Sequence, residues 1–67
     1  MPNADRIGRI LRTLDAATRP EQVNLPGYRF HALQGMRRWS VRVTGNWRIT
    51  FGWDGVDAID VDLEDYH

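Results

Sequence analysis

The sequence predicts an α+β domain in which helices precede a four-stranded antiparallel β-meander. Three observations support this prediction. Apolar residues repeat with a helical period near the N-terminus, four later segments alternate between apolar and polar residues, and short glycine-containing turns separate those segments. The 67 residues suffice for one small domain, and the absence of cysteine excludes disulfide bonds.

The first helix is predicted from roughly Ala4 to Ala17. Its apolar residues have the i, i+3, i+4, i+7 spacing of a single stripe: Ile7, Ile10, Leu11 and Leu14. Arginine recurs at every third position outside this stripe: Arg6, Arg9 and Arg12. These arginines form either a basic ridge or an ordinary solvated face.

A short second helix is predicted to begin near Thr18. Thr18 and Glu21 have the spacing of a capping box, and Pro20 falls within the first turn. Residues 24–27, Asn-Leu-Pro-Gly, should end this helix.

The four strands are predicted at Tyr28–Leu33, Trp39–Val43, Trp47–Phe51 and Ala58–Leu63. Alternating residues supply one apolar face that the helix can cover: Val41, Val43, Ile49, Phe51, Ile59, Val61 and Leu63. Trp39 and Trp47 are in phase with this face, so we expect both to pack in the core. Trp53 lies beside a predicted turn, where we expect exposure and where base stacking is an alternative.

The register of the central hairpin follows from the direction of its side chains. A two-residue turn would pair apolar with charged residues, whereas a three-residue loop at 44–46 aligns Val41 with Ile49. This register also places Arg42 opposite Arg48, away from the helix. Since like charges destabilise one another, either an anion binds there or Asp60 or Asp62 of the next strand neutralises the pair.

The formal charge is divided along the chain. Residues 1–48 contain all nine arginines and three acids, giving +6, whereas residues 49–67 contain six acids and no basic residue, giving −6. Such a division is typical either of a nucleic-acid contact or of opposite charges that meet across a sheet. No long apolar run or signal-peptide pattern is present, so we expect a soluble cytoplasmic protein.

The sequence contains four motifs: H-A-L-Q-G at 31–35, W-S-V at 39–41, G-N-W-R-I-T-F at 45–51 and D-Y-H at 65–67. They resemble those of HigB toxins, which belong to the RelE-like superfamily and are also called the plasmid maintenance or proteic killer family. The family typically has H-P-L-K-G, W-S, N-W-R-I-T-F and a terminal D-Y-H in this order. The resemblance extends from about Leu11 to His67.

This resemblance implies cleavage of messenger RNA on the translating ribosome, without a metal ion or other cofactor. It also implies a helix-turn-helix antitoxin similar to HigA, through which the toxin contacts operator DNA. Cleavage of this kind requires a general base, a general acid and a group that stabilises the charged phosphorane. Whether the chain forms homo-oligomers is left open.

Nine residues are candidates for the site, and the resemblance implies the catalytic ones among them. The catalytic candidates are His31, Arg48, Asp65, Tyr66 and His67. The candidates for RNA binding are Gln34, Arg37, Arg38 and Arg42. Arg48 is expected to stabilise the transition state, while His31 and His67 are candidates for base and acid because imidazole titrates near neutral pH.

The chain also departs from the family pattern. Gln34 replaces the lysine of H-P-L-K-G, the following loop is about two residues shorter, and Thr44 replaces a residue that is basic in some members. Family members are typically longer and begin with a strand and a helix, so the chain is interpreted as one N-terminally abbreviated toxin domain, in which an edge of the sheet would lie open. Either the start codon was chosen late, the protein is an abbreviated form, or a dimer or antitoxin covers the gap. The alternatives are a catalytically weakened remnant that binds an antitoxin as a co-repressor, and an oligomeric structural domain.

Overall fold

A computed structural model describes residues 4–65 and confirms the predicted α+β architecture. Helix α1 spans Ala4–Ala16, and a 3₁₀ helix spans Pro20–Val23. The strands are β1 (His31–Leu33), β2 (Arg38–Arg42), β3 (Trp47–Asp54) and β4 (Asp57–Asp65). They form one antiparallel sheet in the order β1-β2-β3-β4. No helix in this part of the chain is long and apolar enough to cross a membrane.

Helix α1 covers one face of the sheet with its predicted apolar stripe. Ile10 and Leu14 are buried and Ile7 is half-buried, whereas Leu11 is 43% exposed. The stripe therefore extends beyond the surface that the sheet covers. Arg9 and Arg12 are exposed and belong to a solvated face of the helix, which is one of the two alternatives that their spacing predicted.

Arg6 instead turns back toward the sheet. Its Nη2 donates hydrogen bonds to the carbonyl oxygens of Gly27, at 2.6 Å, and Arg42, at 3.1 Å. The guanidinium carbon also lies 5.4 Å from the centre of the Tyr28 ring, within the range of a cation–π contact. One side chain thus joins the first helix, the loop before the sheet and the end of β2.

The predicted capping box at the 3₁₀ helix is wrong. The N-cap is Arg19, whose backbone is extended and whose side chain makes no capping hydrogen bond. Thr18 uses its backbone N–H and its hydroxyl to contact Oε1 of Gln22 instead, at 2.7 and 3.4 Å. Pro20 does occupy the first turn, as predicted, because that position requires no backbone N–H.

The core lies between α1 and the helix-facing side of the central strands. Its buried members are Ile10, Leu14, Ala17, Val23, Val41, Val43, Ile49 and Phe51. Trp39 and Trp47 pack against this core, which confirms the prediction made from their phase. Trp53, predicted to be exposed, is half-buried because its ring packs edge-on against Phe51, with centroids 6.1 Å apart.

β1 is shorter than predicted. Arg29 has a φ of 48°, which interrupts extended backbone, so the ladder begins only at His31. Tyr28 and Phe30 still pack against the core from the preceding loop. The Tyr28 carbonyl accepts a 2.6 Å hydrogen bond from the backbone N–H of Arg42, which attaches this loop to β2.

The central hairpin has the predicted register. Val41 pairs with Ile49, and Arg42 pairs with Arg48. The backbone N–H of Val43 donates to the Trp47 carbonyl at 2.9 Å, so the loop contains residues 44–46. The two arginines therefore lie side by side on the face that α1 does not cover, which we call the open face.

A bulge in β4 makes one part of the predicted apolar face wrong, because Ile59 lies on the other side of the sheet. The pairing shifts by one residue between Thr50 and Gly52, where Asp60 adopts a φ of 52°. Residues before the bulge therefore point to the opposite side from that expected by simple alternation. Ile59 pairs with Gly52 and lies on the open face, whereas Leu63 pairs with Ile49 and faces the helix.

Candidate active site on the open face of the sheet

Four strands bring polar side chains into two adjacent rows on the open face. One row runs across the sheet as His31, Ser40, Thr50 and Asp62. The other runs as Arg42, Arg48 and Glu64. Directly opposed residues of antiparallel strands have Cβ atoms about 4.5–5.5 Å apart, so members of each row are neighbours.

Arg48 lies at the centre of this surface and is held by Glu64. Its Nη2 is 3.4 Å from Oε1 of Glu64, and the two side chains are 25% and 37% exposed. The bridge is thus partly shielded from water while the guanidinium still reaches the surface. Such an arrangement can orient the Arg48 guanidinium and still leave it accessible to a ligand.

Thr50 connects this ion pair to a second arginine. Its side chain is fully buried, and its hydroxyl donates a 2.6 Å hydrogen bond to Oε2 of Glu64. The same hydroxyl oxygen accepts a 3.0 Å hydrogen bond from Nη2 of Arg38. A continuous network therefore runs from Arg38 through Thr50 and Glu64 to Arg48.

The network favours the charged form of Glu64. The hydrogen bond from the Thr50 hydroxyl is the largest cause that lowers the pKa of this carboxyl below its ordinary 4.5. Partial burial opposes this effect, while the hydrogen bond and charge of Arg48 and the charge of Arg38 add to it. Glu64 is therefore an ionised acceptor at neutral pH.

Arg38 lies flat across the sheet. Besides Thr50, its Nη2 donates a 2.9 Å hydrogen bond to the backbone carbonyl of Asp60, at the bulge. Gly52 lies beneath it, and a Cβ at that position would come within 3.8 Å of Arg38 Nη1. The Thr50 hydroxyl and the carbonyl at the bulge together position this guanidinium.

Arg42 leans toward the hairpin loop. Its Nε donates a 3.3 Å hydrogen bond to the Thr44 carbonyl, and its Nη2 lies near Gly45. Neither Arg38 nor Arg42 forms a salt bridge with a carboxylate in residues 4–65. Both guanidinium groups retain N–H donors that can bind phosphate oxygens.

The other described site residues lie at the borders of the open face or, in the case of Asp65, on the opposite side of the sheet. His31 is exposed on β1, two strand spacings, or roughly 10 Å, from β3. Gln34 and Arg37 are exposed in the turn between β1 and β2, where Arg37 has a φ of 50°. Asp65 ends β4 opposite Trp47 and is exposed on the helix-facing side. Tyr66 and His67 lie outside the described residues.

The prediction about which acid neutralises the arginine pair is wrong. Glu64, rather than Asp60 or Asp62, forms the salt bridge with Arg48. Asp60 contributes only its backbone carbonyl, to Arg38, while Asp62 is opposite Thr50. The one-residue shift at the bulge moves Glu64 into the arginine row.

A signal for Glu64 was present in the sequence. A tight turn at Gly55, whose φ is 62°, pairs Asp54 with Asp57, and regular pairing from there would put Arg48 opposite Leu63. That register mixes charged and apolar residues on both faces. One bulged residue in β4 restores the apolar match and makes Glu64 the neighbour of Arg48. Thr50 was also missed, because threonine in a strand is commonplace.

Comparison with known families identifies the kind of protein to which this surface belongs. The family model described as the RelE-like toxin of the type II toxin-antitoxin system HigB matches residues 2–67. The chain belongs to this family. It is also similar to the protein named Endoribonuclease HigB from Proteus vulgaris, with 42% identity over 67 residues, covering 97% of this chain and 73% of that relative. Membership of a type II toxin family implies an antitoxin as partner.

Proposed function

We propose that this HigB-family toxin is an endoribonuclease that cleaves messenger RNA on the translating ribosome without a metal ion. The observation that carries the proposal is Arg48, which Glu64 and Thr50 hold on an open face beside two further arginines. The name of the Proteus vulgaris relative supports RNA cleavage as the activity.

In the proposed reaction, the 2′-oxygen of a nucleotide attacks its own 3′-phosphate. A general base takes the 2′-OH proton, the new O–P bond forms, and the bond to the 5′-oxygen breaks as a general acid protonates that oxygen. Arg48 stabilises the additional negative charge on the phosphorane with paired N–H donors. The products are a 2′,3′-cyclic phosphate and a 5′-hydroxyl.

The remaining roles follow the family motifs. His31 and His67 are the candidates for base and acid, and Asp65 and Tyr66 complete the proposed catalytic group. The proposed RNA-binding residues are Gln34, Arg37, Arg38 and Arg42. The exposure of His31, Gln34 and Arg37 leaves them accessible to a bound strand.

The proposed partners are the ribosome with its messenger RNA and a helix-turn-helix antitoxin similar to HigA. Contact with operator DNA would occur through that antitoxin, and the proposed location is the cytoplasm. The division of charge supports an RNA partner, because residues 1–48 carry a net charge of +6.

The decisive experiment compares the wild-type chain with Arg48→Ala during induced expression in bacteria. We expect wild-type expression to arrest growth and produce new cuts in translated messenger RNA, with rates on the order of 10²–10³-fold lower in the variant. Primer extension locates the cuts, and end analysis tests for the cyclic phosphate. Arg9→Ala, which removes an exposed arginine of α1, is the matched control and should retain activity.

Two results would count against this proposal. Equal cleavage by Arg48→Ala and the wild type would remove Arg48 from the mechanism. Cuts that persist when the attacking 2′-OH is replaced by hydrogen would exclude the 2′-oxygen as nucleophile. Cleavage of free and ribosome-bound message at equal rates would reject only the ribosome requirement.

The second candidate function is an antitoxin-binding co-repressor without catalysis. Gln34 favours it, because this exposed turn residue replaces the lysine of the family motif and supplies no charge. A folded wild-type chain that binds its antitoxin but causes neither arrest nor cleavage would favour this function. Restored cleavage in Gln34→Lys would then identify the missing cation as the cause.

A further inference from the structure

The carboxylate of Glu64 is held unequally by its two partners. Its Oε2 accepts a 2.6 Å hydrogen bond from the Thr50 hydroxyl, whereas its Oε1 lies 3.4 Å from Nη2 of Arg48. Hydrogen bonds to a charged group are ordinarily about 2.5–2.7 Å long from a hydroxyl and about 2.7–2.9 Å long from a guanidinium. The bond from Thr50 therefore has its usual length, and the contact with Arg48 is longer than usual.

Burial differs between the two contacts in the same direction. Thr50 is fully buried, so water does not replace its hydroxyl as a donor to Glu64. The side chains of Arg48 and Glu64 are 25% and 37% exposed, so water and ligands reach the ion pair. Ion pairs that water reaches are weak. A ligand can therefore separate Arg48 from Glu64 while the bond between Glu64 and Thr50 stays intact.

A phosphodiester is the kind of ligand that can take the place of Glu64. The carboxylate and the two non-bridging oxygens of a phosphodiester present the same pattern to a guanidinium, because each is a pair of oxygen acceptors that share one negative charge. In the free protein, Glu64 thus occupies the part of Arg48 to which a phosphate would bind.

The network also stabilises Glu64 after Arg48 has left it. A carboxylate that loses its donors in a partly buried place is costly, and this cost would oppose the exchange. The Thr50 hydroxyl continues to donate to Glu64, and its oxygen accepts a 3.0 Å hydrogen bond from Nη2 of Arg38. One hydroxyl donor and a nearby cation therefore remain to stabilise the carboxylate.

We propose that Glu64 is a resident counter-ion that a phosphodiester of RNA displaces from Arg48, and that Thr50 is a positioning residue that retains the displaced carboxylate. The proposal rests on the proposed function, because it takes the RNA phosphate to bind Arg48. Glu64 competes with the phosphate, so its removal should tighten binding. Thr50 lowers the cost of the exchange, so its removal should weaken binding, but only while Glu64 is present.

The first experiment measures the competition by Glu64. The probe is a deoxyribotrinucleotide, which has phosphodiesters but no 2′-OH to attack them, and NMR of the Arg48 Nε–H group reports its binding. Glu64→Gln should tighten binding roughly twofold to fivefold, because the competing charge is lost and the shape is kept. Asp62→Asn, which removes the same charge from the same strand and face, is the matched control and should have a smaller effect.

The second experiment tests whether Thr50 acts through Glu64. Thr50→Val should weaken binding of the trinucleotide about threefold or more, because the displaced carboxylate loses its donor. Thr50→Ser retains the hydroxyl and should bind as the wild type does. In the Glu64→Gln background, Thr50→Val should have no further effect, since the two residues act as one unit. A purely structural role would weaken binding in both backgrounds. Each variant is first checked for the wild-type amide spectrum.

Several results would overturn the proposal. Binding by Glu64→Gln that is no tighter than that by Asp62→Asn would mean that Glu64 does not compete for Arg48. An equal loss from Thr50→Val in both backgrounds would mean that Thr50 does not act through Glu64. Absence of saturable binding by both the wild type and Glu64→Gln would exclude the exchange. If Thr50→Val does not fold, the comparison of Glu64→Gln with Asp62→Asn decides alone.

Arg48→Ala separates failure of this proposal from failure of the proposed function. Wild-type affinity in Arg48→Ala would remove the phosphate from Arg48, and both would fail. Loss of binding in Arg48→Ala, together with no gain in Glu64→Gln, would overturn the exchange alone and leave Arg48 as the phosphate contact.

Discussion

The two faces of the central strands differ although they share one backbone. On the helix-facing side, Val41, Ile49 and Phe51 are at most 1% exposed and form the core. On the open face, Arg48 and Glu64 remain partly exposed and form a salt bridge. Because successive side chains of a strand point to opposite faces, the residues of one face mainly stabilise the fold and those of the other are mainly available to a ligand.

Ser40 and Thr50 lie on the open face but are buried, and Thr50 shows how the polar face is organised. Thr50 belongs to the open face but is fully buried, because Arg38 and Glu64 hydrogen-bond to its hydroxyl and cover it. A small buried polar centre thus lies beneath the charged surface. Substitutions on the two faces should therefore affect different properties, with Thr50 affecting both.

The largest expected effect on stability is that of Phe51→Ala. Removing this buried ring should lower the free energy of unfolding by about 3–5 kcal/mol. The total stability of a domain of this size is roughly 3–10 kcal/mol, so this loss is a large fraction of it. Met36→Ala, at a position 60% exposed, should change the free energy of unfolding by no more than about 0.5 kcal/mol.

Urea denaturation followed by tryptophan fluorescence measures both variants. Equal losses in the two would contradict the assignment of stability to the helix-facing side.

A smaller effect is expected from Thr50→Val, which keeps the shape but removes the hydroxyl. Two hydrogen bonds in the charged network are lost, so the free energy of unfolding should fall by about 1–2 kcal/mol. The pKa of Glu64 should rise, because its strongest stabilising contact is absent. Urea denaturation and carboxyl titration by NMR measure the two changes.

Thr50→Ser is the matched control, since it retains the hydroxyl and should leave the pKa of Glu64 lowered. If the valine and serine variants had the same Glu64 titration, the network would not hold this carboxylate as described.

The smallest effect concerns pH and Glu64→Gln. The lowered pKa means that the unfolded chain binds the Glu64 proton more readily than the folded chain does. This contribution to stability is therefore complete above the ordinary value of 4.5 and is lost as the pH falls through the folded pKa. Because the side chain is 37% exposed, the contribution should be below about 1 kcal/mol.

Denaturation of the wild type and Glu64→Gln at several pH values checks the sign. The wild type should be the more stable at pH 7, and the difference should shrink on acidification. Asp62→Asn, on the same strand and face, is the control. A difference that grows as the pH falls would contradict the lowered pKa.

Local patterns in the sequence predicted the helix, the meander and the central register. The alignment of Val41 with Ile49 needed only the residues of one hairpin, so the pairing of Arg42 with Arg48 followed directly. The errors arose where distant residues decide local structure. The bulge at Asp60 depends on both the Gly55 turn and the pairing of Leu63 with Ile49, and it reversed the expected side of Ile59.

The candidate site was predictable to different degrees. The family motif singled out Arg48, and the register placed it beside Arg42. The role of Glu64 was not predicted because its position depends on the bulge. The role of Thr50 was not predicted because its burial results from long side chains that fold over it. The separation of His31 from Arg48 follows from the predicted meander order, which places β2 between β1 and β3.

The contacts of Arg6 have a consequence for how the molecule opens. This one side chain binds carbonyl groups that follow it by 21 and 36 residues in the sequence. Detaching α1 therefore releases the loop at Gly27 and the end of β2 in the same event. We therefore expect a variant that lacks the Arg6 guanidinium to show lower hydrogen-exchange protection in the Gly27 loop and near Arg42 together.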